Sequence, residues 1–213
     1  MSVEVHRLFA LRVTTPSAAA RLRRRHSFSF DQRVCQLKVA LRGIDPPIWR
    51  RLIVPVWTTL DRLHAVLQAA LGWTDSHLHV FEIDGERIGV PYELHDLAEV
   101  YTRSGRLVRL LDVVERGCRR FVYEYDFGDS WRHEVDVEDV REPGDEGGAR
   151  CLDGARACPP EDCGGIGGYA RLLEILFDPA HEEFDELRGW VGPDFQPERF
   201  DLLAVNDRLM RLG

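Results

Sequence analysis

The chain has 213 residues, a net charge of −8, 44% hydrophobic and 30% charged residues. That length suits one ordinary domain with a buried core, and no apolar run approaches the roughly 20 residues needed to span a bilayer. Five cysteines are too few and too unevenly spaced for a disulfide scaffold, so free thiols or a metal site are the better reading.

Residues 1–33 hold seven arginines against Glu4 and Asp31, which leaves the remainder at −13. They carry no sustained period and no continuous apolar stretch before a cleavage-like site. The expectation is a flexible basic arm, no signal peptide and a reducing, cytoplasmic location. Arg23, Arg24 and Arg25 are its candidate nucleic-acid contacts; the acidic body would repel a phosphate backbone.

Residues 34–213 are read as a single domain. Cys35, Leu37, Val39 and Leu41 alternate with polar or small residues as a half-buried strand does. After the Gly43–Pro47 punctuation, residues 48–54 form a second strand, returning antiparallel. Leu60, Leu63, Leu67 and Ala70 repeat at helical spacing behind a capping box of Thr58 and Asp61, and Gly72 closes the helix. His77, His79, Phe81 and Ile83 are placed on one face of the next strand, and Asp84-Gly85-Glu86 turns into a hairpin partner. Residues 93–105 stay unassigned, and 107–114 are read as a short helix or a strand edge.

Residues 121–126 and 131–140 make two strands around a Phe127–Ser130 turn, with Trp131, His133, Val135 and Val137 on the apolar face. A Cys-rich loop leads to a helix over 169–177. A second helix is expected from Asp178-Pro179 to near Gly189, and a third opens at Pro197. Strands followed by helices define an α+β class. The expected architecture is a mixed, largely antiparallel sheet, one helix after the first hairpin, and a C-terminal cluster of helices packed on the sheet. Trp49, Trp73, Trp131 and Trp190 are read as core anchors.

Five motifs in order, LRGIDPPIWRRL (41–52), LGWTDSHLHVFEI (71–83), YEYDFGDSWRHEV (123–135), CLDGARACPPEDCGG (151–165) and FDLLAVNDRL (200–209), resemble the family named after ORF-3 of plasmid pRiA4b. The resemblance implies a mixed sheet with helices packed on it. It also implies a loose association with plasmids and mobile elements, without an assigned activity. Residues 1–33 lie outside it.

The sharpest chemical candidate joins His77, His79 and His133 to Cys151, Cys158 and Cys163, because neutral imidazoles and thiolates suit tetrahedral zinc. Only Cys158 and Cys163 have ordinary zinc spacing; the alternative is satisfied strand histidines and small buried thiols. Asp126, Asp129, Glu161 and Asp162 could supply acid–base or hard-metal chemistry if the 123–129 and 158–165 stretches fold together. Glu161, Asp162 and Asp129 are the catalytic candidates; acids in turns more commonly satisfy backbone N–H groups. No Gly-x-Ser-x-Gly, phosphate-cradling loop with Lys, or His-Glu-x-x-His is present. The reading adopted is a non-enzymatic binding or accessory module. A zinc-dependent enzyme using the His/Cys/acidic cluster and nucleic-acid binding through the arm are the alternatives, with an unknown protein or nucleic acid as partner.

Overall fold

The computed structural model describes residues 31–89, 103–144 and 147–212. Most of the basic arm, with Arg23, Arg24 and Arg25, and most of the unassigned 93–105 stretch therefore lie outside the described residues. The described residues form one compact unit.

Strands β1 (Val34–Leu41), β2 (Trp49–Pro55), β3 (His79–Ile83), β4 (Glu86–Gly89), β5 (Arg103–Ser104), β6 (Arg120–Tyr125), β7 (Trp131–Arg141) and β8 (Arg150–Ala155) form one sheet. Its order is β5-β4-β3-β6-β7-β1-β2-β8, and among these pairings only β4 with β5 is parallel. The helices are α1 (Leu60–Leu71), α2 (Leu110–Glu115), α3 (Gly165–Leu176), α4 (Phe184–Val191) and α5 (Leu202–Met210). The α+β architecture expected from the pattern is the one observed. Among the described residues no helix is long and apolar enough to cross a membrane.

Register puts Phe81, Tyr123, His133 and Leu41 side by side across four strands, and His79, Tyr125 and Trp131 in the next row. This face is buried, and α1 lies against it through Leu60, Leu63 and Leu67. The opposite face is laced by ion pairs, with Arg132 bridging Glu82 and Glu124 at 2.6 Å and Arg51 holding Glu138 at 2.7 Å. An alternating strand with one polar side produces this division.

Four local expectations need correction. The N-cap of α1 is Thr59, whose hydroxyl accepts from the Arg62 N–H, while Thr58 is buried. Strand β8 occupies part of the expected loop; it lacks alternation and owes its extended form to pairing with β2. Asp178 does not begin a helix: its carboxylate accepts from Ala180 N in a turn, and α4 starts at Phe184. The last helix opens at Leu202 under Asp201, which accepts from Ala204 N, and not at Pro197.

Trp73 and Trp131 are core residues. Trp190 is 49% exposed, and Trp49 lies on the charged face beneath Lys38 and Arg51. Its ring stacks with cations there and does not fill the core.

Candidate functional site

The site lies where the chain leaving α1 meets the loop leading into α3. Gly72 takes φ 93° and ends the helix in the left-handed region. Trp73 then donates its indole N–H to the Pro159 carbonyl at 2.9 Å and stacks on Tyr125 at 5.1 Å. This one side chain ties residues 73–79 to residues 156–164. Glu161 completes the seam: its Oε1 accepts from Thr74 N at 2.9 Å and from the Tyr125 hydroxyl at 3.0 Å.

The seam brings one imidazole to three carboxylates. His77 Nε2 is 3.1 Å from Asp162 Oδ1, 3.7 Å from Asp126 Oδ2 and 4.0 Å from Glu161 Oε2. Asp126, at φ 56°, has only 9% of its side chain exposed, and its other oxygen accepts from Gly128 N. His77 Nε2 and Glu161 Oε2 are buried and have no hydrogen-bond partner; even the short approach to Asp162 is misaligned for one. Among the described residues no arginine or lysine reaches these three carboxylates within ion-pair distance. Buried polar atoms are rarely left unmatched, and a water or an ion at this point would satisfy both.

A second group lies beside it, beneath a cleft of about 670 Å³ that Asp75, His77, His79 and Arg106 help to line. Gln68 Nε2 donates to the Tyr123 hydroxyl at 3.0 Å, which in turn meets His64 Nδ1 at 2.8 Å. His64 Nε2 meets Asp75 Oδ1 at 2.7 Å, and Asp75 N returns to Gln68 Oε1 at 2.9 Å. Because Tyr123 accepts from Gln68, its proton goes to His64 Nδ1, which leaves the His64 proton on Nε2, facing the carboxylate. Burial lowers the pKa of His64 against the pull of Asp75, and raises that of Tyr123.

His64, Asp75 and His79 place ligand atoms close together, yet the two rings stack at 3.5 Å with only 7° between planes. An ion between them would sit far out of both ring planes, whereas imidazole ligates in its plane. His64 already uses both nitrogens. The group that fits a cation is His77, Asp126 and Asp162, whose ligand atoms lie within 4.8 Å of one another.

The structure divides the six residues expected around zinc. His77 and His79 enter different groups because β3 begins only at His79. His133 is fully buried, edge-on to Trp73 at 5.3 Å, with its pKa pushed down to about 4 by burial. Cys151 sits in β8, its backbone N–H and carbonyl both bonded by the Asn206 amide. Cys158 is buried beside Arg50 at 3.6 Å. Cys163 is half-buried, its thiol raised to about 12 by burial and then by Asp129. All five cysteines are free, and the ligand groupings among the described residues contain none of them.

Of the three catalytic candidates, Glu161 and Asp162 reach the site. Asp129 instead accepts from Gly164 N at 3.1 Å, a loop-holding contact. Sequence reasoning missed His64 and Gln68. The available signal was a pair of polar residues one turn apart inside an apolar helical stripe.

An α+β domain with a one-sided helical layer and a polar cleft at the sheet's end is therefore the class of protein. The sequence profile of the family described as Plasmid pRiA4b ORF-3-like protein matches residues 33–204. An uncharacterized protein, y4hQ, of Sinorhizobium fredii (strain NBRC 101917 / NGR234) is 41% identical over 160 residues, 75% of this chain and 81% of its own. The crystal structure of a protein of unknown function, MM3350, from Methanosarcina mazei Go1 superposes with a TM-score of 0.72 at 38% identity, covering 81% of this chain and 97% of that one. The chain belongs to the Plasmid pRiA4b ORF-3-like family.

Proposed function

We propose that the protein is a binding module that holds a divalent cation through His77, Asp126 and Asp162, with Glu161 beside them. The observation that carries this reading is the pair of buried, unpartnered atoms, His77 Nε2 and Glu161 Oε2, that face each other across 4.0 Å. Two further carboxylates surround the same point. An imidazole nitrogen with carboxylate oxygens suits Mn²⁺, Fe²⁺ or Zn²⁺, and the oxygen excess favours the harder ions. The cleft above the neighbouring hydrogen-bonded ring gives a polar ligand access to such an ion.

The test is calorimetric titration of chelator-treated protein with Mn²⁺ and with Zn²⁺. The expected result is saturable binding of a single cation, weakened at least about tenfold in His77→Ala and in Asp162→Asn, and unchanged in Cys158→Ser. No binding of either ion, or equal binding by His77→Ala, would overturn the reading.

A further inference from the structure

A second hollow, of about 430 Å³, lies between the C-terminal end of α1 and the first turns of α5. Its charge is opposite to that of the cation site. Arg50, Arg199 and Arg208 line it, against Asp194 and Asp201, although the protein as a whole is acidic.

The three arginines are in different states. Arg50, 3% exposed, spends its guanidinium on main-chain carbonyls, reaching Ala70 at 3.1 Å and Ala155 and Arg156 at 2.9 Å. Its donors are consumed, but its charge has no carboxylate within ion-pair distance among the described residues. Arg199 is paired with Asp201 at 2.8 Å. Arg208 bonds only through Nε, to the Ala69 carbonyl at 2.7 Å. Its two terminal nitrogens have no partner among the described residues, and the side chain lines the hollow. Partial burial and the neighbouring Arg50 both lower the pKa of Arg208, so its charge is held at a cost that a nearby anion would relieve.

Apart from Gln196, the rest of the wall is apolar or small. Leu71, Phe195, Phe200 and Val205 line it, and the Phe200 ring lies 4.8 Å from the Arg50 guanidinium. A planar anion is matched by the paired donors of a guanidinium edge, and a hollow of this size with mostly apolar walls and a few polar anchors is what a small ligand requires.

We infer that this hollow binds a small aromatic carboxylate, with the carboxylate on the free edge of Arg208 and the ring against Phe195 and Phe200. This does not depend on the cation site, which is built from other residues.

The probe is benzoate, with benzamide as its neutral counterpart, followed by NMR on the full chain through the Phe200 ring and Arg208 Nε–H signals. Saturable shifts with benzoate, at least about tenfold weaker with benzamide, are expected, the ion–guanidinium contact supplying about 1.4 kcal/mol or more. Arg208→Met, which keeps the aliphatic stem, should lose the preference for benzoate, and Arg208→Lys should keep only part of it. Equal binding of the two probes, or no shifts with benzoate, would overturn the inference, and that comparison on the unmodified protein decides even if a variant fails to fold.

Discussion

His64 Nδ1 lies 2.8 Å from the hydroxyl of Tyr123, joining the middle of α1 to the middle of β6. Both partners are buried, and the bond is one member of the closed ring through Gln68 and Asp75. Tyr123→Phe removes the hydroxyl and strands His64 Nδ1 and the Gln68 amide together. A loss of about 1–3 kcal/mol in folding stability is expected, read as a lower urea midpoint. The Tyr123→Phe and Gln68→Ala effects should be non-additive in a double-mutant cycle; simple additivity would show that the ring does not act as a unit.

Acid should destabilise the protein through its buried histidines. Burial holds His79 down to about 3, with His64 adding to it, and His133 down to about 4; His64 is lowered in the same direction. An unfolded histidine titrates near 6.5, so below that pH the unfolded chain binds more protons than the folded one. Stability from this source is full above about pH 6.5 and falls as pH drops toward about 4 for His133 and about 3 for His79. Each group contributes a slope of up to about 1.4 kcal/mol per pH unit. Urea unfolding across that range measures the slope. His133→Gln should flatten it even while lowering stability overall, and a pH-independent midpoint would refute the assignment.

The loop carrying Glu161 and Asp162 is locked by a glycine. A Cβ at Gly168 would lie 1.9 Å from the Cys163 carbonyl oxygen, so the first turn of α3 can approach its own leading loop only without a side chain. Gly168→Ala should cost about 2 kcal/mol or more and weaken cation binding, because Asp162 must move with the loop. A variant that titrates with Mn²⁺ like the unmodified protein would separate the loop from the site.

The cysteines should behave as thiols outside the proposed cation site. Five free thiols are expected in denaturant. In the folded protein Cys163, the half-buried one, should react first and slowly, since burial and Asp129 raise its pKa to about 12. Cys151→Ser and Cys163→Ser should leave cation uptake unchanged. A variant that lost its ion would return the thiols to the ligand set.

Much of the fold follows from local pattern alone. Leu60, Leu63, Leu67 and Ala70 mark the buried stripe of α1, Gly72 takes the left-handed turn that ends it, and Trp131, His133, Val135 and Val137 alternate inward along β7. In each case a residue's own period records which side faces the core. The five ordered motifs likewise pointed to the family. Strand β8 was illegible because its extended form comes from β2 and from the Asn206 amide, not from its own residues. The candidate site was legible only in part. Asp126, Glu161 and Asp162 stood out as acids in shaped turns, but His77 and His79, two residues apart, suggested a shared face that the start of β3 breaks. The pairing of His64 with Tyr123, 59 residues away, and of Trp73 with Pro159, 86 residues away, was decided by strand register and helix packing. Periodicity reports only whether a side chain is buried; which distant side chain it meets depends on how separate elements dock.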